Sequence, residues 1–261
     1  MKYPRLAGKM VQIQLNKDLA YKANFIISIL GMLLGDFIGP LVAIIIYSTT
    51  LGIPGWSLDQ FLLFQGTYTL VFGLGHVLCL GFFYTVYEAV ERGEFDKYLL
   101  KPYNSWLYIM AIGIDWDGSP EVLFGAALTA YAMIQLHTNI ISAGFLAYLL
   151  LVAVGVLFQY TIITLIASGS FLAVKNEALM QTFYKLSDFA RYPLSVYGVG
   201  LRFFLTFLFP VAISAFYPAE ALLRGMSISN IVLVIVPVIV LFAASLWMWN
   251  MTIRKYSSAG G

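Results

Sequence analysis

Six long apolar runs constrain this chain more than any other feature of its sequence. A bilayer core of about 30 Å requires roughly 20 consecutive apolar residues per spanning helix. The chain is 61% hydrophobic and only 11% charged, whereas charged residues make up about a quarter of a soluble domain. We therefore predict an all-α polytopic membrane protein, a single domain over residues 1–261 with six transmembrane helices. The runs cover approximately residues 25–51, 61–87, 119–136, 143–172, 194–215 and 230–251.

The basic residues predict how this domain is oriented. With six spans, 14 of the 15 Lys and Arg residues fall on one side of the membrane, and Arg224 is the exception. The positive-inside rule then places both termini in the cytoplasm of a multi-pass plasma (inner) membrane protein surrounded by lipid. The formal net charge of +2 provides no basic field that would indicate a nucleic-acid partner.

Short amphipathic segments are expected between and beside the spans. Residues 1–24 have the pattern of a basic helix lying along the headgroups on the cytoplasmic side, or of a simple topogenic anchor. Apolar residues from Leu179 to Ala190 repeat at helical spacing, which predicts an interfacial helix or an extension of the fourth span. Residues 216–229 predict a short extracellular helix, with an ordinary loop as the alternative.

The loop after the second span, residues 88–105, concentrates charge in a chain that otherwise avoids it. Seven charged residues occur among the fifteen from Glu88 to Pro102. Gly93 is expected to end the preceding helix, and Pro102 to stop the next one. Phe95, Tyr98 and Leu99 are spaced as one apolar stripe, which predicts a short amphipathic helix under the bundle. The alternative is a solvated loop that obeys the positive-inside rule.

The amino-acid sequence of this loop resembles a signature of the ABC-2 type permeases. The run from Gly93 to Asn104 reads GEFDKYLLKPYN, and residues 192–197 with 216–219 resemble the family's fifth span and the turn after it. The length and the number of spans extend the resemblance over essentially the whole chain. It is similar to the branch of six-span exporter permeases of about 260 residues.

The resemblance implies a permease subunit whose coupling helix docks on a separate ABC ATP-binding subunit, present in two copies. A second permease subunit would complete a homodimer or a heterodimer. No GxxxxGK[ST] phosphate loop occurs in the sequence, so ATP and Mg²⁺ are expected in the partner, with no cofactor and no enzyme site in this chain. The residues implied for coupling are Glu88, Glu91, Arg92, Gly93, Glu94, Asp96 and Lys97.

Two ionisable residues lie inside apolar runs and are candidates for a substrate path. Asp36 follows Gly31 and Gly35 in the first run, and His76 lies among glycines in the second. An ionisable group at membrane depth costs about 2.5–3.5 kcal/mol on insertion scales, so it is a functional candidate by default. Asp36, with His76 near it, would favour cationic or amphiphilic substrates. The alternative for each is a buried hydrogen bond that fixes helix packing.

The resemblance, together with these residues, implies a permease of an ATP-driven exporter that works by alternating access, as in multidrug efflux of hydrophobic or cationic compounds. A secondary transporter driven by an ion gradient is a weaker alternative, because the sequence has only two candidate residues and no visible repeat. A membrane-embedded enzyme is disfavoured, since no HExxH or GxSxG motif is present. A membrane anchor for an ATPase that moves no substrate stays open.

Overall fold

A computed structural model of the protein describes residues 22–173 and 176–257. Those residues form helices and no β-strand, which confirms the all-α prediction. The predicted amphipathic helix at residues 1–24 lies almost entirely outside the described part of the chain. The α-helices are α1 Lys22–Thr49, α2 Leu58–Gly75, α3 Gly81–Glu91, α4 Asp96–Leu99, α5 Ser105–Ile112, α6 Ser119–Gln135, α7 Ala143–Gly169, α8 Glu177–Ser187, α9 Val199–Phe203, α10 Phe216–Leu223 and α11 Ile228–Thr252.

Three long helices begin at a serine cap. The hydroxyls of Ser57, Ser142 and Ser227 accept hydrogen bonds from the backbone N–H three residues later, at 3.2, 3.1 and 3.3 Å. At α2 the Gln60 side chain also accepts from the Ser57 N–H at 3.1 Å, which completes a capping box. Each cap satisfies a donor that the first helical turn leaves free, so local sequence sets where these helices start.

A π-helical turn, His76–Leu80, joins α2 to α3 in one unit from Leu58 to Glu91. A π turn shifts the carbonyls away from their usual helical partners, and here the Val77 carbonyl accepts from the Asp115 N–H at 2.9 Å. The backbones approach closely beside it, because a Cβ at Gly81 would lie 2.3 Å from the Gly113 oxygen. The π turn is therefore held against the segment that leads into α6.

The helix directions define two ends of the bundle. Residues of α6 approach α2 in reverse order, with Thr129 at Gly66 and Val122 at Gly73, so these helices are antiparallel. α7 runs parallel to α2, since Gly155 approaches Val71 and Gln159 approaches Gly75. One buried cluster, containing Trp56, Phe61 and Phe64, lies at the Leu58 end. A second, containing Phe82, Phe95, Phe171 and Trp249, lies at the Glu91 end.

The count of six spanning helices is not confirmed. In the part of the chain that the structure describes, four helices are long and apolar enough to cross a membrane by length and composition: Ile29–Thr49, Leu58–Glu91, Ala143–Gly169 and Ile228–Lys255. The predicted third span corresponds to α6, which has 17 residues.

The predicted fifth span, 194–215, is not one helix. It divides into a 3-10 turn Leu194–Val196, the five residues of α9, a π turn Phe204–Leu208 and a 3-10 turn Val211–Ser214. Proline explains part of this, because Pro210 has no N–H to donate and cannot continue a helical ladder. α10 follows directly and corresponds to the short helix predicted within residues 216–229.

The segment between α7 and α9 packs one face against the bundle. Met180 and Phe183 of α8 are buried in the Glu91-end cluster. The 3-10 turn Asp188–Arg191 that follows α8 reaches α2, where the Gln65 amide donates to the Arg191 carbonyl at 2.7 Å. α8 is therefore a helix separate from α7, and its position at the membrane interface stays a prediction.

Candidate functional site

The helix leaving the bundle at Glu91 ends in a glycine motif. Gly93 has a φ of 66°, a conformation that glycine adopts without strain. Its N–H donates to the Val90 carbonyl at 3.1 Å, and the Glu94 N–H donates to the Ala89 carbonyl at 2.7 Å. This is the Schellman arrangement, which satisfies carbonyls at a helix terminus. The chain is thereby turned back under the bundle, as the sequence predicts for Gly93.

Phe95 anchors the segment that follows. Its side chain is 0% exposed, and its ring centroid lies 4.8 Å from Phe171, 5.5 Å from Tyr256 and 6.2 Å from Trp249. These partners come from the ends of α7 and α11, so one aromatic side chain joins the loop to two other helices. Such aromatic pairs add about 0.5–1.5 kcal/mol beyond the burial of their area.

The single turn of α4 presents apolar and charged groups outward. Leu99 is 44% and Leu100 85% exposed, so the predicted stripe of Phe95, Tyr98 and Leu99 is buried at its first member only. Lys97 donates to Glu94 at 2.7 Å; this hydrogen bond lowers the pKa of Glu94 and raises the pKa of Lys97, so both are charged at neutral pH. Of the residues implied for coupling, those that are exposed are Glu88, Glu91, Arg92, Glu94 and Lys97.

A second candidate site is a polar cavity of about 330 Å³ beside the π turn. Both predicted path residues, Asp36 and His76, line it. They share it because α1 packs on α2, where a Cβ at Gly39 would lie 2.9 Å from the Gln65 side-chain oxygen. The glycine ladder contributes only at that position, since a Cβ at Gly31 or Gly35 would have nothing within 4 Å. The other lining residues are Tyr68, Thr69, Phe72, Leu80, Glu121, Tyr184, Lys185, Asp188 and Arg191.

His76 interacts with two acidic side chains that the sequence did not associate with it. Its Nδ1 lies 3.4 Å from Glu121 Oε1, and its Nε2 lies 3.9 Å from Asp115 Oδ2. The 3.4 Å contact is longer than the usual range of roughly 2.7–3.2 Å, so the hydrogen bond is weak. Glu121 is in the first turn of α6 and Asp115 precedes it, so the antiparallel packing of α6 on α2 brings both carboxylates to the π turn.

Arg191 forms the opposite wall of the cavity. Its Nε donates to Asp188 Oδ1 at 2.9 Å, and its guanidinium lies 5.1 Å from the centroid of the Tyr68 ring, a cation–π distance. From the sequence alone, Arg191 is one of the 14 basic residues predicted on the cytoplasmic side, with no further role. The helical repeat of Leu179 to Ala190 is the only sequence signal that places its neighbourhood, and it does not reveal the contact with α2.

Two polar atoms in the cavity have no partner. The Asp36 Oδ2 and the Tyr184 hydroxyl are enclosed and form no hydrogen bond with any described residue. Buried polar atoms are nearly always hydrogen-bonded in proteins, so these two are available to a ligand or to water. Within the described residues, no group of three or more His, Cys, Asp or Glu side chains is placed to hold a metal ion.

The comparisons with known proteins agree with this architecture. A family model described as "ABC-2 family transporter protein" matches residues 10–260, which is nearly the whole chain of 261 residues. Neither the comparison with curated proteins nor that with solved structures found a match.

Proposed function

Because the chain belongs to the ABC-2 family of transporter proteins and is a membrane permease component, we propose that it serves an exporter powered by a separate ATPase. The family implies an ABC ATP-binding subunit as partner. The proposed complex contains two copies of that subunit, which hold ATP and Mg²⁺, and a second permease that is a copy or a relative of this chain. The termini face the cytoplasm, and the complex lies in the plasma (inner) membrane.

The observation that carries the proposal is the construction of the coupling segment, defined here as residues 88–105. Its buried side, through Phe95, contacts the ends of α7 and α11. Its outer side places Leu100 among charged residues of both signs. A central apolar side chain with a polar rim is typical of a protein–protein contact. A partner that pushes on α4 therefore moves three helices together: α3, which leads into the segment, and α7 and α11, which Phe95 contacts.

In this proposal the residues that contact the ATPase are Glu88, Glu91, Arg92, Glu94, Asp96 and Lys97, with Gly93 setting the turn. Closure of the two ATPases on ATP draws the coupling segments toward each other, and the bundle opens to the opposite side. The cavity that contains Asp36 and His76 is the proposed substrate path. Its ionisable lining inside a lipid-facing bundle favours a transport role over packing alone.

Co-purification with the ATPase tests the coupling assignment. The chain is isolated with an affinity tag from membranes of the cells that make it, in wild-type form and with Glu91→Gln, Glu94→Gln and Asp96→Asn combined. We expect an ABC ATP-binding subunit with the wild type and its loss from the triple variant. Glu177→Gln is the control, because Glu177 begins α8 near the Glu91 end and lies outside the coupling segment.

The outcomes also separate the alternatives. An ATPase retained by the triple variant, together with retained ATP-dependent transport, would contradict the coupling assignment. Transport that persists without any bound ATPase and follows an ion gradient would indicate a secondary transporter. A bound ATPase with no transported compound would indicate a membrane anchor.

A further inference from the structure

The charges around the polar cavity divide into those already paired and those left over. Arg191 is paired with Asp188 at 2.9 Å, and His76 contacts Glu121 at 3.4 Å. Two charged residues of the lining have no such partner. Asp36 has an enclosed carboxylate oxygen without a hydrogen bond, and Lys185 forms no ion pair with any described residue.

The two unpaired charges are opposite in sign and come from different walls. Asp36 belongs to α1 and Lys185 to α8, and no ion pair joins them although both line one cavity. The enclosed carboxylate oxygen of Asp36 is costly to leave charged without a hydrogen-bond donor, and a bound cation offsets that cost. Lys185 is exposed and open to an anion. A ligand that carried only a cation would neutralise Asp36 and leave Lys185 as it is.

We propose that the cavity binds a zwitterion, a protonated primary amine that also carries a carboxylate or phosphate. The ammonium donates to Asp36 Oδ2, and the anionic group contacts Lys185. Because Asp36 Oδ2 is enclosed while Lys185 is exposed, the ammonium lies deeper than the anion. This is a narrower class than the cationic or amphiphilic substrates that the sequence predicts.

The unpartnered Tyr184 hydroxyl supports the anionic end. Tyr184 is the neighbour of Lys185 in α8, and its enclosed oxygen has no partner among the described residues. A phenol can donate to a carboxylate or phosphate oxygen. The lysine and the tyrosine thus supply a charge and a hydrogen-bond donor from one helix, which a cation-only site would leave unused.

The amine is expected to carry N–H groups rather than three methyl groups. Asp36 Oδ2 lacks a donor, and a quaternary ammonium has none to offer. One aromatic face of the cavity is already occupied, because the Arg191 guanidinium lies over Tyr68. The volume of about 330 Å³ is at the small end of ligand cavities, roughly 300–1,000 Å³. The ligand is therefore a small zwitterion or the headgroup of a lipid.

Equilibrium binding to the purified full-length chain tests this inference in detergent that contains no zwitterionic lipid. The probes are glycerophosphoethanolamine, its trimethyl analogue glycerophosphocholine, ethanolamine, and dihexanoyl phosphatidylethanolamine. We expect glycerophosphoethanolamine to bind about tenfold more tightly than the trimethyl analogue and than ethanolamine. Tighter binding of the diacyl form would identify a lipid headgroup as the source, and equal or weaker binding a free solute.

Variants connect the binding to the two residues. Asp36→Asn and Lys185→Gln should each weaken glycerophosphoethanolamine binding about tenfold, while Asp36→Glu should retain part of it. Lys255→Gln, an exposed lysine that follows α11, is the matched control, and a melting curve verifies that every variant is folded. Ethanolamine binding that equals that of the zwitterion and is insensitive to Lys185→Gln would overturn the proposal in favour of a cation site. Absence of binding by all four probes to folded wild type would also overturn it.

This inference deepens the proposed substrate path and so rests on the proposed function, but the binding assay requires neither an ATPase nor transport. The two can fail separately. Zwitterion binding by a chain that never binds an ATPase would leave the site intact and refute the exporter, whereas an ATPase-coupled chain without such binding would refute only the ligand class.

Discussion

The hydroxyl of Tyr256 accepts a hydrogen bond from the backbone N–H of Phe95 at 3.1 Å, across 161 residues of sequence. The Phe95 N–H precedes the first turn of α4, where backbone donors have no helical partner. The two rings are also in contact, with centroids 5.5 Å apart. The residues that follow α11 therefore hold the start of the coupling segment in place.

Replacing Tyr256 with Phe should loosen this attachment while keeping the ring. The lost hydrogen bond is expected to lower the free energy of unfolding by about 1 kcal/mol. If the attachment positions α4 on the ATPase, transport per ATP hydrolysed should fall, although the ATPase stays bound. The measurement is the ratio of transport to hydrolysis in the reconstituted complex.

A tyrosine elsewhere provides the comparison for this change. Tyr131 is exposed on α6 and far from the coupling segment, so Tyr131→Phe should alter neither stability nor the ratio. An equal loss in both variants would show that the Tyr256 hydroxyl has no specific part in coupling.

Phe95→Ala should be the most damaging single change in the coupling segment. Its ring is fully buried among four aromatic side chains, and truncating a buried Phe typically costs about 3–5 kcal/mol. We expect a clear drop in melting temperature for the purified chain, with a smaller drop for Phe95→Leu. Similar melting of Phe95→Ala and wild type would mean that the ring is not packed in this cluster.

Leu100→Ser should affect the partner rather than the fold. Leu100 is 85% exposed, so its replacement removes little buried area within the chain, and the melting temperature should stay within about a degree of wild type. Binding of the ATPase should weaken about tenfold or more, as for an apolar residue at the centre of an interface. Leu51→Ser is the matched control, because Leu51 is also exposed but lies at the opposite end of the bundle. Equal ATPase binding by both variants would remove Leu100 from the interface.

Local sequence patterns predicted the features that depend on interactions between neighbouring residues, such as the end of a helix. Gly93 ends its helix as expected, because only the residues around it form the Schellman bonds. Asp36 and His76 do line one cavity, since helices that follow each other along the chain often pack together. The role of either residue in transport stays a prediction.

The features that the sequence did not reveal depend on contacts between distant segments. Arg191 lies against Tyr68. Tyr68 is ten residues beyond the start of α2, which is about 15 Å along the helix axis at a rise of 1.5 Å per residue. Hydropathy counts could only assign this arginine to a loop. The run 194–215 is apolar enough to span, but hydropathy does not register its broken backbone. Gly198, Gly200 and Pro210 were signals against a continuous helix there.

The contact between Gly81 and Gly113 provides a last test of how the π turn is held. A Cβ at Gly81 would lie 2.3 Å from the Gly113 carbonyl oxygen. Neither backbone can move away without moving the helical segments on each side of it. Gly81→Ala should therefore destabilise the chain by about 1–3 kcal/mol, as overpacking does. It should also displace His76 and Leu80, and so weaken the binding of any ligand in the polar cavity.

The control is Gly200→Ala, since a Cβ there has nothing within 4 Å and alanine favours a helix by up to about 1 kcal/mol over glycine. Thermal unfolding of the two purified variants should shift in opposite directions, and a Gly81→Ala chain as stable as wild type would mean that the two backbones are further apart than described.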